Sequence, residues 1–319
     1  MYWQTPVVEE EINLSLRFRH TDVRTVNPVL VSDTSSGRIT SLVFDDLVFI
    51  DPDTLQPLPD LATKWEVSSD SKTYTFTIRN GVKWHDGQPF TADDVKFSYD
   101  LYMNKDTGTP RAGTLIKHIK SVEVKDPTTV VFTLNDVIAP FMVSDVSYGI
   151  VPKHILSSVA PKDIPTSDFT KSKPIGTGPF KFKEQKPGES VTLVANPDYF
   201  AGAPALDTYI WKFVKDSSAL YQQLKTGDVD IAPVQPSLYD DAKSQTNFTT
   251  YVYDTFNFQF FGYNLDPQKG PTIFQDPKVR QALFYAVDRD GIVKKSALAS
   301  AALLRGRCRS SHGPTSQIK

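Results

Sequence analysis

Apolar residues fall at every second position in Ile12-Asn13-Leu14-Ser15-Leu16-Arg17-Phe18, the period of a strand with one covered face. The alternation returns in Tyr74-Thr75-Phe76-Thr77-Ile78, and Asn80-Gly81 then supplies a dipeptide suited to the positive φ of a tight turn. This predicts a hairpin whose returning strand opens with Val82 and Trp84. Thr91 and Asp94 have the spacing of a capping box, while Val95, Tyr99 and Tyr102 recur at helical spacing, so a helix with a buried stripe follows. Val122 and Val124, a turn at Asp126-Pro127, and Val130, Phe132 and Leu134 predict a second hairpin. Residues 51–135 are thus expected to form a hairpin-helix-hairpin unit.

Elsewhere the pattern is less regular. Asn27-Pro28 marks a loop, and the mixed apolar and acidic stretch 39–50 ends in a turn at Asp51-Pro52-Asp53. Pro152, Pro161, Pro165 and Pro174 break the segment 151–174, which is expected to connect two lobes. Strands are predicted at 191–194 and around Tyr209, Trp211 and Phe213. A helix over 218–226 should stop at Gly227, before a short strand at 228–232. Two strands are expected within 249–263, the second with Phe256, Phe258 and Phe260 on one face and Asn257, Gln259, Phe261 and Tyr263 on the other. Asp276-Pro277 caps a helix carrying Val279, Leu283, Ala286 and Val287, the last element the pattern predicts.

Composition narrows the function classes. The 319 residues, 39% hydrophobic and 12% aromatic, suffice for one large or two medium cores. With 35 Lys+Arg against 37 Asp+Glu, the chain lacks the basic field that would hold nucleic acid or an anionic membrane. From Gly291 onward there is no acid, and Lys294, Lys295, Arg305, Arg307, Arg309 and Lys319 sit among small residues without interleaved aromatics, so a solvated extension is expected. The single Cys308 excludes an internal disulfide or a four-thiolate zinc site, and five dispersed histidines form no ligand cluster. No run approaches the roughly 18 apolar residues of a membrane span, and residues 1–11 end in three acids, which is not the pattern of an export signal.

Catalytic motifs are absent: there is no nucleophile elbow, two-histidine metalloprotease helix, phosphate loop or Cys-x-x-Cys. Gly176-Thr177-Gly178-Pro179-Phe180 lacks the third glycine of a dinucleotide loop, and Pro179 removes a backbone donor, so a tight structural turn is expected. In Trp84-His85-Asp86-Gly87, the His85-Asp86 pair could serve acid/base chemistry or half a metal site, but turn chemistry with a solvated His85 explains the same residues. A peptide hydrolase built on this pair is the disfavoured alternative.

Several blocks taken together resemble the family 5 extracellular solute-binding proteins, the peptide-, dipeptide- and nickel-binding components of bacterial ABC importers. They are Asn27-Pro28, residues 42–53, Ala62-Thr63-Lys64-Trp65-Glu66-Val67-Ser68, residues 74–87, Phe90-Thr91-Ala92-Asp93-Asp94-Val95, Gly176-Thr177-Gly178-Pro179-Phe180, Asn196-Pro197-Asp198-Tyr199-Phe200, Gly227-Asp228-Val229-Asp230-Ile231-Ala232 and residues 279–289. Their order and spacing hold over roughly residues 20–295.

The resemblance implies an α/β chain of the type II periplasmic-binding-protein fold, its first lobe carrying an inserted subdomain and its second lobe largely missing. The implied division is first lobe at 12–50 and 176–265, inserted subdomain at 51–175, start of the second lobe at 266–295, and a basic tail at 296–319 outside the family pattern. A shifted reading frame would explain that tail. The implied function is binding of di- or oligopeptides between two lobes and delivery to permease subunits, on the periplasmic or extracellular face of the membrane. No bond is made, no cofactor or metal is needed, no nucleic acid is bound, and a monomer is expected. Positions that commonly border the ligand fall on Asp33, Thr34, Ser35, Phe258, Gln259, Phe260 and Asn264; the second-lobe acid that holds a peptide's amino terminus has no counterpart. The alternatives are a fragment that keeps the first-lobe fold without transport-competent binding and, less favoured, a carrier of nickel or another small solute.

Overall fold

The structure, a computed structural model, describes residues 13–18, 22–252 and 262–296. The alternating N-terminal segment forms β1 (Asn13–Phe18). Asn27 then caps a single 3₁₀ turn, Pro28–Leu30: its Oδ1 accepts from the Val29 N–H, and its Nδ2 donates to Thr170 Oγ1 at 2.8 Å. The next element, α1 (Thr34–Val43), is one that hydrophobic periodicity does not announce. Its Thr, Ser and Gly residues are weak helix formers. Asp33 compensates by accepting from both the Ser36 N–H and the Ser36 hydroxyl, while Ile39 and Val43, one turn apart, are buried. β2 (Val48–Ile50) and β3 (Pro57–Pro59) close a short antiparallel ribbon over the expected turn at 51–53.

The central module contains β4 (Ala62–Val67), β5 (Thr73–Ile78), α2 (Ala92–Met103), α3 (Ala112–His118), β6 (Ile119–Asp126) and β7 (Thr129–Leu134). Its sheet runs β4-β5-β7-β6 and is antiparallel throughout. Tyr74, Phe76 and Ile78 point inward, and the Phe76 and Phe132 rings meet edge to face at 5.5 Å. α2 starts with the expected capping box and lays Val95, Tyr99 and Tyr102 into the core, with Tyr99 edge-on to Phe132 at 4.7 Å.

The Asn80-Gly81 hairpin expectation is corrected. Both edges of β5 are already taken by β4 and β7, so no edge remains for a returning strand. Val82–Trp84 instead folds on itself, through Trp84 N–H to Gln88 O, Phe90 N–H to Val82 O and an isolated bridge from Lys83 to Pro89.

The proline-broken segment is also not a connection between lobes. With α4 (Phe141–Ser144) before it, it forms α5 (Lys153–Leu156) and α6 (Asp168–Lys171), and Val151, Leu156, Ile164 and Phe169 enter the main core. β8 (Phe180–Lys186), β9 (Ser190–Ala195) and β10 (Thr208–Phe213) complete a sheet of order β1-β10-β9-β8, in which β1 and β10 are parallel. α7 (Ser217–Thr226) ends at Gly227 in the left-handed conformation, as predicted; of the strand expected at 228–232 the described residues show a single β-bridge position, Ile231.

The chain divides into two compact units, Met1–Pro233 and Val234–Lys319. In the second, α8 (Tyr239–Ser244) precedes α9 (Pro277–Ala286), which Asp276 caps as expected. The expected apolar stripe of α9 is not buried: Leu283 is exposed, as are Phe284 and Tyr285. α9 is not the last element, because α10 (Arg289–Ser296) follows. The second strand expected in 249–263 lies largely outside the described residues, and residues 249–252 carry no strand.

Candidate ligand-binding site

The start of α1 carries an exposed stretch of open backbone. Val31 (φ −61°, ψ 125°) and Asp33 (φ −135°, ψ 158°) are extended. Between them Ser32 is exposed, and neither its N–H nor its carbonyl has a partner among the described residues. Such unpaired groups are a template for pairing with another extended chain. Beside this stretch a cavity of ≈ 140 Å³ is lined by Val31, Thr40, Phe44, Asp46, Arg111 and Tyr148, among others. It mixes aromatic surface, hydroxyls and one charge of each sign.

Asp46 belongs to a group of three neighbouring carboxylates. Asp45 is buried, accepting from Thr177 Oγ1 at 2.7 Å and from the Tyr199 hydroxyl at 3.0 Å. Burial pushes its carboxyl upward despite those bonds and the Arg79 charge. Asp46 is pushed up to about 7 by burial and then by the Asp45 charge, with Arg111 opposing. Asp60 rises as well, through burial and the charges of Asp45 and Asp46, although it accepts from the Asp46 N–H and feels Arg79. The Tyr199 hydroxyl is raised by burial and by the neighbouring Asp45. Among the described residues no group of three or more His, Cys, Asp or Glu is arranged to hold a metal ion.

His85 is not solvated, which corrects the sequence expectation. Its Nδ1 accepts from the Gly176 N–H at 3.2 Å and its Nε2 faces the Gly178 carbonyl at 2.9 Å. That pattern fits the neutral ring with the proton on Nε2. Burial drives its pKa down to about 4. Asp86 pairs instead with His154, at 2.8 Å.

The Gly176-Thr177-Gly178 turn is the structural element expected of it. A Cβ on Gly176 would lie 1.8 Å from the Val43 carbonyl oxygen, and one on Gly178 2.7 Å from that of Leu42. The turn therefore docks against the end of α1, and Gly178 N–H donates to Val43 O at 3.0 Å.

The expected ligand-bordering residues are placed unevenly. Asp33 is the helix cap, Thr34 is exposed at the first turn, and Ser35 is buried. Asn264 lies in the second unit, where its Oδ1 accepts from the Asp266 N–H at 3.0 Å. Phe258, Gln259 and Phe260 lie outside the described residues. Arg111, Tyr148 and Asp46 were missed. Each is an isolated residue in a different segment, with no local pattern to mark it; only the fold brings them to one cavity.

A mixed sheet with an intervening sheet-and-helix module thus carries unpaired backbone beside a small polar cavity, an arrangement whose class the relatives of the chain define. Residues 56–303 match the profile of the bacterial extracellular solute-binding proteins, family 5 Middle. The chain belongs to this family, which is one of extracellular binding proteins and not of enzymes. It is 36% identical over 270 residues to the oligopeptide-binding protein AppA of Bacillus subtilis, covering 84% of this chain and 49% of that protein. It is 32% identical over 296 residues to the dipeptide-binding protein of Escherichia coli, covering 84% and 53%. The solved structure of B. subtilis AppA in complex with a nonapeptide superposes with a TM-score of 0.80 at 35% identity, covering 88% of this chain and 55% of that one. NikZ from Campylobacter jejuni, in complex with Ni(L-His), gives 0.80 at 33% identity, covering 90% and 55%. The chain spans about half the length of the curated relatives it matches. No helix among the described residues is long and apolar enough to cross a membrane.

Proposed function

We propose that this chain forms the first lobe of the substrate-binding component of an ABC importer and contacts peptides by backbone pairing along residues 31–33. The observation that carries the reading is the exposed Ser32 with its unpaired N–H and carbonyl, between the extended Val31 and Asp33 and beside the cavity. A peptide satisfies those groups with its main chain whatever its side chains, which suits a carrier that must accept many sequences. Similarity to peptide-binding proteins supports it.

Asp33, Thr34, Ser35, Phe258, Gln259, Phe260 and Asn264 border the ligand in this reading. The first lobe spans 12–50 and 176–265 with 51–175 inserted, 266–295 begins the second lobe, and 296–319 stays outside both. The protein works as a monomer on the periplasmic or outer face of the membrane and hands its ligand to permease subunits. The second reading is a small chelate or other solute, for which the similarity to NikZ is the motive.

The test is to titrate the purified chain with alanine di-, tri- and nonapeptides and with nickel–histidine, following heat and melting temperature. A bound peptide at about a hundred times its Kd should raise the melting temperature by about 5 °C or more. N-methylation at alternate peptide nitrogens should weaken binding about tenfold, since each lost bond leaves a buried carbonyl unpaired. A melting temperature unmoved by every peptide would overturn the proposal, and a response to nickel–histidine alone would favour the second reading.

A further inference from the structure

The extended segment is held from behind by one residue of the intervening module. Arg111 stands 80 residues away from Val31 in sequence, yet its Nη1 donates to the Val31 carbonyl at 2.9 Å. Its guanidinium carbon lies 4.4 Å from the centre of the Tyr148 ring and 6.0 Å from that of Tyr102, and Asp46 lines the same cavity. The backbone of Arg111 is anchored independently, because its carbonyl accepts from Thr114 and Leu115 at the start of α3 and its N–H donates to Thr109 Oγ1. The side chain is therefore free of any capping duty.

Without it the segment is poorly restrained. The Val31 N–H makes only a 3.4 Å bond to Pro28, and Ser32 makes none among the described residues. A charge-assisted bond to a carbonyl is stronger than a neutral one, and a flat guanidinium stacked on an aromatic ring is restrained in direction as a lysine ammonium is not. We infer that Arg111 is a positioning residue: laid over the Tyr148 ring, it fixes the Val31 carbonyl so that the opposite edge of residues 31–33 faces the ligand backbone. It acts through Val31 and need not touch the ligand. This inference rests on the proposed peptide reading, and its test is chosen to fail separately.

The test compares wild type with Arg111→Ala, Arg111→Lys and Tyr148→Leu by amide hydrogen exchange resolved to single residues, and by calorimetric titration with an alanine nonapeptide. In Arg111→Ala the Val31, Ser36 and Gly37 amides should exchange about tenfold faster, with β5 and β7 unchanged, and the peptide Kd should rise about tenfold. Arg111→Lys and Tyr148→Leu should fall between it and wild type. Exchange within twofold of wild type at those three amides overturns the inference. So does acceleration spread equally over β5 and β7, or local acceleration with an unchanged peptide Kd. If Arg111→Ala fails to fold, the Lys and Leu variants decide by the same criteria. A wild type that binds no peptide defeats the proposed function, while the exchange pattern still decides whether Arg111 holds the segment.

Discussion

His85 and Gly178, 93 residues apart, are joined by a 2.9 Å hydrogen bond from the imidazole Nε2 to the glycine carbonyl. The same ring takes the Gly176 N–H on Nδ1. One side chain thereby pins the small turn after β5 to the glycine turn that opens β8, and it does so as a neutral ring. A second proton on Nδ1 would set two N–H groups against each other.

The pH response follows in sign. Unfolded, His85 titrates near 6.5; folded, burial holds it near 4, so acid favours the unfolded chain across that interval. Its contribution is complete above pH 6.5 and is lost as the pH falls toward 4. Melting curves between pH 4 and 7 should show a loss on the order of 1–3 kcal/mol from this group that is missing in His85→Asn. Equal pH slopes in the two proteins would contradict the assignment.

Asp46 works in the opposite direction. Its folded pKa is raised to about 7 from an ordinary 3.8, so the fold prefers the protonated acid, and stability is lost as the pH climbs through that range. Asp46→Asn should stabilise the fold at pH 8 by on the order of 1–2 kcal/mol after allowance for solvent screening, seen as a higher melting temperature, and the gain should vanish near pH 4. The measurement is the difference in melting temperature between variant and wild type as a function of pH.

Gly176 admits no side chain. Gly176→Ala puts a carbon 1.8 Å from the Val43 oxygen and should cost more than about 3 kcal/mol in urea unfolding, because both partners are backbone and cannot swing aside. Gly113→Ala, within α3 where an added Cβ meets nothing within 4 Å, should be neutral or stabilising by up to about 1 kcal/mol.

Asp33 has two separable duties. As the cap of α1 it serves the Ser36 N–H and hydroxyl, so Asp33→Ala should lose about 1 kcal/mol or more. Asp33→Asn keeps an acceptor at the cap and should retain nearly all stability. If its carboxylate also meets a ligand cation, Asn should weaken peptide affinity without lowering the melting temperature; unchanged affinity would confine Asp33 to capping.

Local pattern carried a good part of the fold. The Thr91/Asp94 capping box, the β6–β7 hairpin, the Gly227 stop and the Asp276 cap are settled by neighbours within a few residues, and all four were legible. α1 was not, because Thr, Ser and Gly obscure its periodicity and the helix depends on one cap and on the burial of Ile39 and Val43. Nor was the partner of β5: Asn80-Gly81 encodes a turn, while pairing depends on which edges distant strands have already filled.

Ordered blocks spread over most of the chain are enough to place it in its family, and with the family comes the expectation of a binding lobe. It takes the folded chain to bring Arg111, Asp46 and Tyr148 to one cavity with Val31, to hold His85 between two glycines, and to bury the proline-rich stretch in a core. Helix caps and strand alternation are set by interactions a few residues long, which a linear pattern can display. A hydrogen bond across 80 residues, or a pKa set by burial, depends on which surfaces the folded chain has already covered.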